Sequence, residues 1–195
     1  MTGISVRVNQ QDLANVRSLL SGIKNGAERA ITRSLNRTMD KAQTRANQEI
    51  RKDVKLSATY VRGKLRKQRA TFSNLSASIS AESRGVLLTR YKYKELARRK
   101  GIRVWIKASG AAATMPGAFI VRNLKNSGAT GIALPPGSKA PGPSGVIRAG
   151  GAAFDVLHGP SVSQVLTEVK DEIQDEMADF LSAEMSKQVD LLLGR

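Results

Sequence analysis

The chain has 195 residues, 41% of them hydrophobic, which is enough for one domain of ordinary size with its own core. It contains no cysteine, so disulfide bonds and thiolate metal sites are excluded, and synthesis in a reducing cytoplasm is expected. The sequence shows neither a signal-peptide pattern nor an apolar run of about 20 residues, so we expect no signal peptide and no membrane contact.

The net charge of +16 is distributed unevenly along the chain. Residues 151–195 carry nine acids and three bases, a net charge of −6, whereas residues 1–150 carry 29 bases and seven acids, a net charge of +22. This asymmetry predicts one of two partners for the basic part. Either nucleic acid binds there, or the basic surface of one copy packs on the acidic surface of the next.

The first elements in chain order are a short strand and two helices. Residues 4–8 alternate apolar and polar, as in a strand, and a helix is expected from about Asp12 to Ile23. From Ala27 to about Lys52, apolar residues recur in steps of three and four, which predicts a longer helix with one apolar stripe. Five cations recur every four residues on this helix and form what we name the basic ridge: Arg29, Arg33, Arg37, Lys41 and Arg45. Because four residues turn about 400°, the ridge winds round the helix by about 40° per step.

A third helix is expected to start at Ser57, a good N-cap flanked by the apolar pair Leu56 and Val61, and to run through Arg69. Residues 27–70 are therefore expected to form a basic helical segment. Residues 75–157 change to a period of two, which predicts a β-rich part with an antiparallel sheet; its strands are expected within 75–81, 86–93, 102–107 and 115–124. The Pro- and Gly-rich residues 135–151 are expected to form a mobile loop without regular structure.

Residues 161–193 predict a long, acidic, amphipathic C-terminal helix. Pro160 and Ser161 precede it, and Gln164 completes a capping-box pattern. One apolar stripe, the C-terminal stripe, runs along this helix: Val162, Val165, Leu166, Val169, Ile173, Met177, Phe180, Leu181, Met185, Val189 and Leu192. The helix would be about 50 Å long, against about 34 Å for the diameter of a compact domain of this size, so we expect another subunit to cover part of the stripe.

These elements predict an α+β fold in a single domain over residues 1–195. It combines an antiparallel sheet of short strands with a long basic helix near the N-terminus and the acidic C-terminal helix.

The sequence offers little chemistry for catalysis. His158 is the only histidine, and its position just before the last helix favours a structural role over that of a catalytic base or a metal ligand. No phosphate-binding loop ending in Lys-Ser/Thr, no GxSxG and no HExxH occurs. The acids of residues 168–179 are better explained as a solvated or contacting helix face than as a cation site. We therefore expect no enzyme, no cofactor and no metal.

The basic helices leave two kinds of partner open. Lysine and arginine neutralise phosphates without sequence preference, which would allow DNA contact. Aromatic residues for base stacking are few in the basic segments, and no DNA-reading motif occurs. Contact with an acidic protein surface is the favoured interpretation, and a non-specific nucleic-acid-binding protein is the alternative.

Three segments in order resemble the phage minor tail protein Z family: residues 34–71, a long basic helix leading into a second one; residues 115–128, MPGAFIVRNLKNSG; and residues 156–166, VLHGPSVSQVL. The resemblance implies a virion protein of long-tailed phages that acts in tail completion near the head-proximal end. It also implies a sixfold ring as the commonest arrangement, with the tail terminator, tube or connector as neighbours. The family offers no catalytic residues. Its matching positions are interpreted as structural: Pro116, Gly117, Phe119, Gly159, Pro160 and Ser161.

The expected function is structural assembly of a phage tail in the virion, after synthesis in the host cytoplasm. Docking is expected to combine charge complementarity with apolar contact. The candidate interaction surface takes residues from the basic ridge and the C-terminal stripe: Arg29, Arg33, Arg37, Lys41, Arg45, Val162, Val169, Ile173, Met177 and Phe180.

Overall fold

The computed structural model describes residues 3–97, 100–125, 127–136, 138, 147–149 and 154–194. It confirms the α+β class, and every strand pairing in these residues is antiparallel. The chain divides into two compact units. The first comprises Met1–Asn47, Leu65–Glu82 and Leu166–Arg195, and the second comprises Gln48–Lys64 and Ser83–Val165. The single-domain assignment stays a prediction.

The first unit contains a three-stranded sheet and parts of three helices. Strands β1 (Gly3–Arg7), β2 (Leu65–Gln68) and β3 (Ser76–Ala81) lie in the order β1-β3-β2. Alternate residues of β3 are buried, namely Ala77, Ile79 and Ala81, as the period of two predicts. The helices are α1 (Gln10–Leu19), the first part of α2 (Gly26–Asp53) and most of α4 (Val162–Leu193).

Helix α1 begins and ends earlier than the sequence pattern predicts. The side chain of Asn9 accepts a hydrogen bond from the backbone N–H of Asp12 at 2.6 Å and so caps a helix that begins at Gln10, two residues before the expected start. The expected end at Ile23 is wrong, because the chain leaves the helix after Leu19. The backbone N–H of Ile23 bonds the carbonyl of Leu20 in a tight turn instead of continuing the helical ladder.

Helix α2 matches the prediction, and its buried face is wider than the apolar stripe. All eight apolar residues of the stripe are buried: Ala27, Ala30, Ile31, Leu35, Met39, Ala42, Ala46 and Ile50. Ser34 and Thr38 are buried beside them, and each hydroxyl donates to the backbone carbonyl four residues earlier, at 2.9 Å. These local bonds let two polar side chains enter the core without an unpaired donor.

The third helix is shorter than expected. Helix α3 spans Ala58–Lys64, with Ser57 Oγ accepting from the N–H of Tyr60 at 3.2 Å, so the predicted N-cap is confirmed. Its predicted extension to Arg69 is wrong, because Leu65–Gln68 form β2 and pair with β3. Leu65 is buried in this pairing. Lysine and arginine suit either helix or solvent-facing strand positions, so pairing with a partner strand decides the local structure.

The second unit contains α3 and two further sheets. The larger is built from β4 (Val86–Leu87), β8 (Phe119–Val121), β9 (Gly131–Leu134), β10 (Ile147–Ala149) and β11 (Asp155–Gly159). The smaller, in the order β5-β6-β7, is built from β5 (Lys92–Glu95), β6 (Ile102–Trp105) and β7 (Ala113–Met115).

One expected strand is divided between these two sheets. The single strand predicted for residues 86–93 is wrong, because a 3-10 turn at Leu88–Arg90 separates β4 from β5. Leu88 and Tyr91 at this turn are both buried. The turn lets both of these residues, three positions apart, reach the core, whereas a strand with a period of two would place them on opposite faces.

The start of α4 is the predicted capping box. The backbone N–H of Ser161 donates to Gln164 Oε1 at 2.8 Å, and the N–H of Gln164 donates to Ser161 Oγ at 3.1 Å. Upstream, the expected loop 135–151 is corrected in part, because Ile147–Ala149 form β10 and pair with β11. Residues 137, 139–146, 150 and 151 of that loop lie outside the described residues, and its mobility stays a prediction.

Candidate interaction surfaces

Three cations of the basic ridge pair with acids of α4 inside the first unit. Arg37 Nη1 lies 2.6 Å from Glu184 Oε1, and Arg45 Nε lies 2.9 Å from Glu176 Oε2. Lys41 Nζ lies 3.5 Å from Glu176 Oε1 and 4.1 Å from the centroid of the Phe180 ring. As the residue number rises along α2, it falls along α4, so the two helices run antiparallel. The charge complementarity that the sequence predicts between copies is met here within one chain.

Glu184 is the least exposed acid in this helix pair. Only 8% of its side chain is exposed, and it also accepts a hydrogen bond from Gln188 Nε2 at 2.8 Å. A buried carboxylate without such partners would be costly, so the contacts with Arg37 and Gln188 compensate for its burial. Sequence analysis counted Glu184 only as one acid of the acidic tail. Its pairing with Arg37 depends on the register between α2 and α4, which are far apart in the sequence.

The C-terminal stripe is mostly buried inside the chain. Val162, Ile173 and Met177 are each at most 1% exposed, and Val169 and Phe180 are half-buried. Further along, Leu181, Met185 and Val189 are also buried, and only the last turn exposes large apolar side chains, Leu191 and Leu193. A second subunit is therefore not needed to cover the stripe as far as Val189.

The other two ridge cations, Arg29 and Arg33, are exposed. Among the residues that the structure describes, no acid pairs with either of them. This division along the ridge follows from its winding, because cations that drift by about 40° per step cannot all face the same neighbouring helix. Arg29 and Arg33 are the members of the ridge that remain available to a partner.

A second ionic cluster ties β2 to α2. Lys67 and Arg69 both contact the carboxylate of Asp40, Arg69 Nη2 at 3.1 Å. Burial alone would raise the pKa of Asp40, but the two cations outweigh it and the pKa is lowered. Nearby, the amide of Asn36 accepts from the N–H of Ala70 at 3.0 Å and donates to its carbonyl at 3.1 Å. These contacts hold residues 67–70 against α2.

Nearly all of the excess charge belongs to the second unit. Its residues, 48–64 and 83–165, include 18 bases and four acids, a net charge of +14, whereas the first unit has a net charge of +2. The sequence places the positive charge in residues 1–150, with a basic helical segment at residues 27–70. Three cations of that segment, Arg37, Lys41 and Arg45, pair with α4, whereas residues 83–165 alone carry 13 bases and two acids.

One face of the smaller sheet concentrates this charge, and we name it the β5–β7 face. Residues opposite one another in the register point to the same side of a sheet, so Lys92 and Lys94 share a face with Trp105 and Arg103. Lys92, Lys94 and Arg103 are exposed, and Trp105 is half-buried. Lys92 Nζ lies 5.3 Å from the centroid of the Trp105 ring. The opposite face buries Ile102, Val104 and Met115.

Sequence analysis did not single out this face. Its signal lies in YKYKE and IRVW, where basic residues alternate with aromatic or aliphatic residues in two neighbouring strands. The alternation alone does not show which strands pair or in which register, so it cannot assign the two sets of cations to one surface.

A second group of cations surrounds Tyr60, at the start of α3. Lys64 Nζ and Arg90 Cζ each lie 5.7 Å from the centroid of the Tyr60 ring. Cations held against an aromatic ring remain charged and close to the surface. The second unit therefore carries two basic–aromatic groupings.

His158 lies in β11, where it pairs with Leu87 of β4 and Ile147 of β10. Burial lowers the pKa of its imidazole, a backbone hydrogen bond at Val156 opposes this, and the positive charge of Arg84 adds to the lowering. Among the described residues, no group of three or more histidine, cysteine, aspartate or glutamate side chains is placed to hold a metal ion. The geometry fits the structural role that the sequence suggests.

The residues next to His158 anchor the start of α4. Tyr91 is buried, and its hydroxyl donates to the carbonyl of Pro160 at 3.1 Å. Burial raises the pKa of Tyr91, so its hydroxyl stays protonated and able to donate. A Cβ atom on Gly159 would lie 2.7 Å from Tyr91 Cε2, so the ring needs a glycine at this position. Gly159 and Pro160 thus serve packing and hydrogen bonding.

The comparison with known families decides the assignment. The family model for prophage minor tail protein Z (GPZ) matches residues 12–195, nearly the whole chain. The chain belongs to the minor tail protein Z family. No curated protein and no solved structure matches it.

Membership of the minor tail protein Z family makes this chain a structural protein of a phage tail, which places it in the virion among other tail proteins. The segment VLHGPSVSQVL, which resembles the family, contains the Gly159–Ser161 junction, and MPGAFIVRNLKNSG contains the turn before β8, where Gly117 has a φ of 73°. Within the part of the chain that the structure describes, no helix is both long and apolar enough to cross a bilayer.

Proposed function

We propose that the chain completes the phage tail near its head-proximal end by docking onto other tail proteins. The family match over residues 12–195 carries this proposal. The tail terminator, the tube or the connector are the proposed neighbours, and a homo-oligomeric ring, with six copies as the first expectation, is the proposed arrangement. The protein acts without enzymatic activity or cofactor and is made in the host cytoplasm before it enters the virion.

The docking surface combines the exposed end of the basic ridge with apolar residues of the first unit. Arg29 and Arg33 supply charge for an acidic partner, since both are exposed and lie one helical turn apart. Leu19 of α1 and Leu191 of α4 are 59% and 58% exposed, respectively. Leu19 borders a groove of about 290 Å³ between α1 and α4, which also includes Val16, Met185 and Val189. Exposed leucines beside an open groove favour an apolar contact.

The ion pairs between α2 and α4 restrict which substitutions can test docking without destabilising the monomer. A triple variant, Arg33→Glu, Arg37→Glu and Lys41→Glu, would bring glutamates against Glu184 and Glu176 and would destabilise the monomer itself. The double variant Arg29→Glu/Arg33→Glu avoids this, because neither residue pairs with an acid among the described residues.

The test is complementation of a phage that lacks this gene. We expect Arg29→Glu/Arg33→Glu to fold, with its thermal midpoint close to that of the wild type, and to lower the yield of infectious particles at least about tenfold. The protein should also be missing from purified particles by mass spectrometry. The matched control, Arg7→Glu/Lys24→Glu, makes the same change in charge at two other exposed positions of the first unit and should complement. Normal assembly by the first variant would contradict the proposed surface.

Non-specific binding of nucleic acid is the second candidate function. The observation that favours it is the composition of the second unit, with 18 bases and four acids. Binding through phosphates weakens steeply with salt, so a mobility shift of short duplex DNA should be present at about 50 mM salt and lost near 200 mM. No shift of either duplex or single-stranded DNA at about 50 mM salt would exclude this candidate.

A further inference from the structure

We infer that the β5–β7 face is a binding site for single-stranded nucleic acid, with Lys92, Lys94 and Arg103 contacting phosphates and Trp105 stacking on a base. The inference rests on the second proposed function and assigns it a surface and a ligand. Three features of this face support it: like charges without an acidic partner among the described residues, an aromatic residue beside them, and few apolar side chains.

The like charges stand directly opposite one another. Lys94 of β5 is the register partner of Arg103 of β6. Like charges at such cross-strand positions destabilise a sheet unless an anion lies between or above them. Among the described residues, no carboxylate forms an ion pair with Lys92, Lys94 or Arg103. Glu95, the acid of β5, alternates to the opposite face.

A cation close to this face in the sequence, Lys107, is neutralised by an acid of the protein, in contrast to Lys94 and Arg103. Lys107 follows Trp105 by two residues, and its Nζ lies 2.8 Å from Asp53 Oδ1. The charge of Lys107 is therefore compensated within the protein, whereas those of Lys94 and Arg103 are not. An external polyanion would supply the missing negative charge, and a phosphodiester strand presents one at every residue.

The aromatic residue favours nucleic acid over an acidic protein. Trp105 lies beside the three cations on an open sheet, where an unpaired base can stack on the indole while its phosphates meet the lysines. A protein partner would need an apolar core at its contact surface. This face has no exposed aliphatic side chain; its further member, Thr114, is polar and accepts from Arg103 Nε at 3.4 Å.

The presence of Trp105 on this face favours a single strand over a duplex. Bases in a duplex are already stacked and paired, so they cannot lie on the indole without being extruded. A duplex would still meet the cations through its phosphates but would leave Trp105 untouched. Stacking on Trp105 therefore distinguishes single-stranded from duplex nucleic acid.

Trp105 is the only tryptophan in the sequence, so its fluorescence reports on this face alone. The full-length protein is titrated with a 20-nucleotide oligo(dT), with the corresponding dT·dA duplex, and with polyglutamate of about the same charge, at about 50 mM salt. We expect oligo(dT) to bind most tightly and to quench the fluorescence, with weaker binding and little quenching by the other two. Equal quenching by polyglutamate would identify an acidic protein as the partner and overturn the inference. Duplex binding as tight as that of oligo(dT), without quenching, would also overturn it.

The site is tested with one variant and a matched control. Lys94→Glu places an acid opposite Arg103, which relieves the like-charge pair, so the variant should fold at least as stably as the wild type. It should weaken oligo(dT) binding, measured by anisotropy, about tenfold or more. The control Lys24→Glu makes the same change in charge at an exposed position of the first unit and should weaken binding less than about threefold.

The outcomes separate the site from the function. Equal weakening by Lys94→Glu and Lys24→Glu would mean that net charge, not this face, sets affinity, and would overturn the site while leaving nucleic-acid binding in place. Failure of the wild-type protein to bind any nucleic acid at about 50 mM salt would overturn both. Tail docking is tested by complementation and depends on neither result.

Discussion

At the scale of single residues, the junction before α4 is closely packed. The ring of Tyr91 occupies the space that any side chain at position 159 would need, and its hydroxyl reaches the carbonyl of Pro160. The Ser161–Gln164 capping box then begins the helix. Substitutions here act on stability through contact and hydrogen bonding, without touching a reactive group.

We predict that Gly159→Ala destabilises the protein by about 1–3 kcal/mol, since the new methyl group would overlap the Tyr91 ring. Urea denaturation followed by circular dichroism measures this change. Gly63→Ala is the matched control: a Cβ at Gly63 of α3 would have no atom within 4 Å. Alanine favours helix, so the control should be neutral or stabilising by up to about 1 kcal/mol. Equal effects of the two substitutions would contradict the packing explanation.

His158 makes stability depend on pH in a defined direction. Its folded-state pKa is lowered below the ordinary value of 6.5, so the unfolded chain takes up a proton first as the pH falls. Stability is therefore complete above about pH 6.5 and declines below it, by at most about 1.4 kcal/mol per pH unit. Thermal midpoints between pH 7.5 and 5.5 should show this decline in the wild type and a much flatter profile in His158→Gln. An unchanged slope in the variant would assign the effect to another group.

At the scale of elements, the antiparallel pair of α2 and α4 organises the first unit. Its apolar faces are buried against the unit's core, and its edge is closed by Arg37, Lys41 and Arg45. Arg45 and Lys41 are partly exposed, so their ion pairs contribute little each. Arg37 is different because its partner Glu184 is buried.

We predict that Arg37→Glu destabilises the protein by about 1–3 kcal/mol, because it removes the partner of a buried carboxylate and adds a like charge. The exchange Arg37→Glu/Glu184→Arg should recover part of this loss and give a coupling energy of about 0.5–3 kcal/mol in a double-mutant cycle. Chemical denaturation of the four proteins measures it. Strict additivity of the two single changes would show that the pair does not interact.

At the scale of the whole molecule, charge is segregated between the two units. The first unit is nearly balanced at +2, because the acids of α4 offset the cations of α2 and β2, while the second unit holds +14. Self-repulsion on this scale disfavours a compact state and favours association with anions. Under the two proposals, protein docking belongs to the first unit and polyanion binding to the second.

We predict that salt stabilises the isolated protein. Raising sodium chloride from about 10 to 150 mM shortens the screening length from about 30 to 8 Å and weakens repulsion across the second unit. The thermal midpoint should rise by a few degrees. The stability lost when salt screens the exposed ion pairs of the first unit is smaller than the stability gained when it screens the repulsion in the second unit. Sodium fluoride at the same ionic strength should act alike if screening is the cause. A falling midpoint would mean that attractive pairs dominate.

Much of the fold follows from periodicity alone. The steps of three and four in α2 and α4, the alternation in β3, and the caps at Ser57 and Ser161 are local patterns, and local patterns determine which backbone conformation buries the apolar side chains. The α+β class and the antiparallel sheets follow from the same information. The family resemblance rests instead on the particular residues of 34–71, 115–128 and 156–166.

Only the tertiary structure decides which charges are compensated and which are free. The sequence shows a basic ridge and an acidic helix, but the register between α2 and α4 pairs Arg37, Lys41 and Arg45 and leaves Arg29 and Arg33 exposed. Likewise, β2 forms because β3 offers hydrogen bonds to Leu65–Gln68, and the β5–β7 face exists because two separate strands align. Each depends on contacts between residues far apart in the chain, and these contacts leave no periodic trace in the sequence.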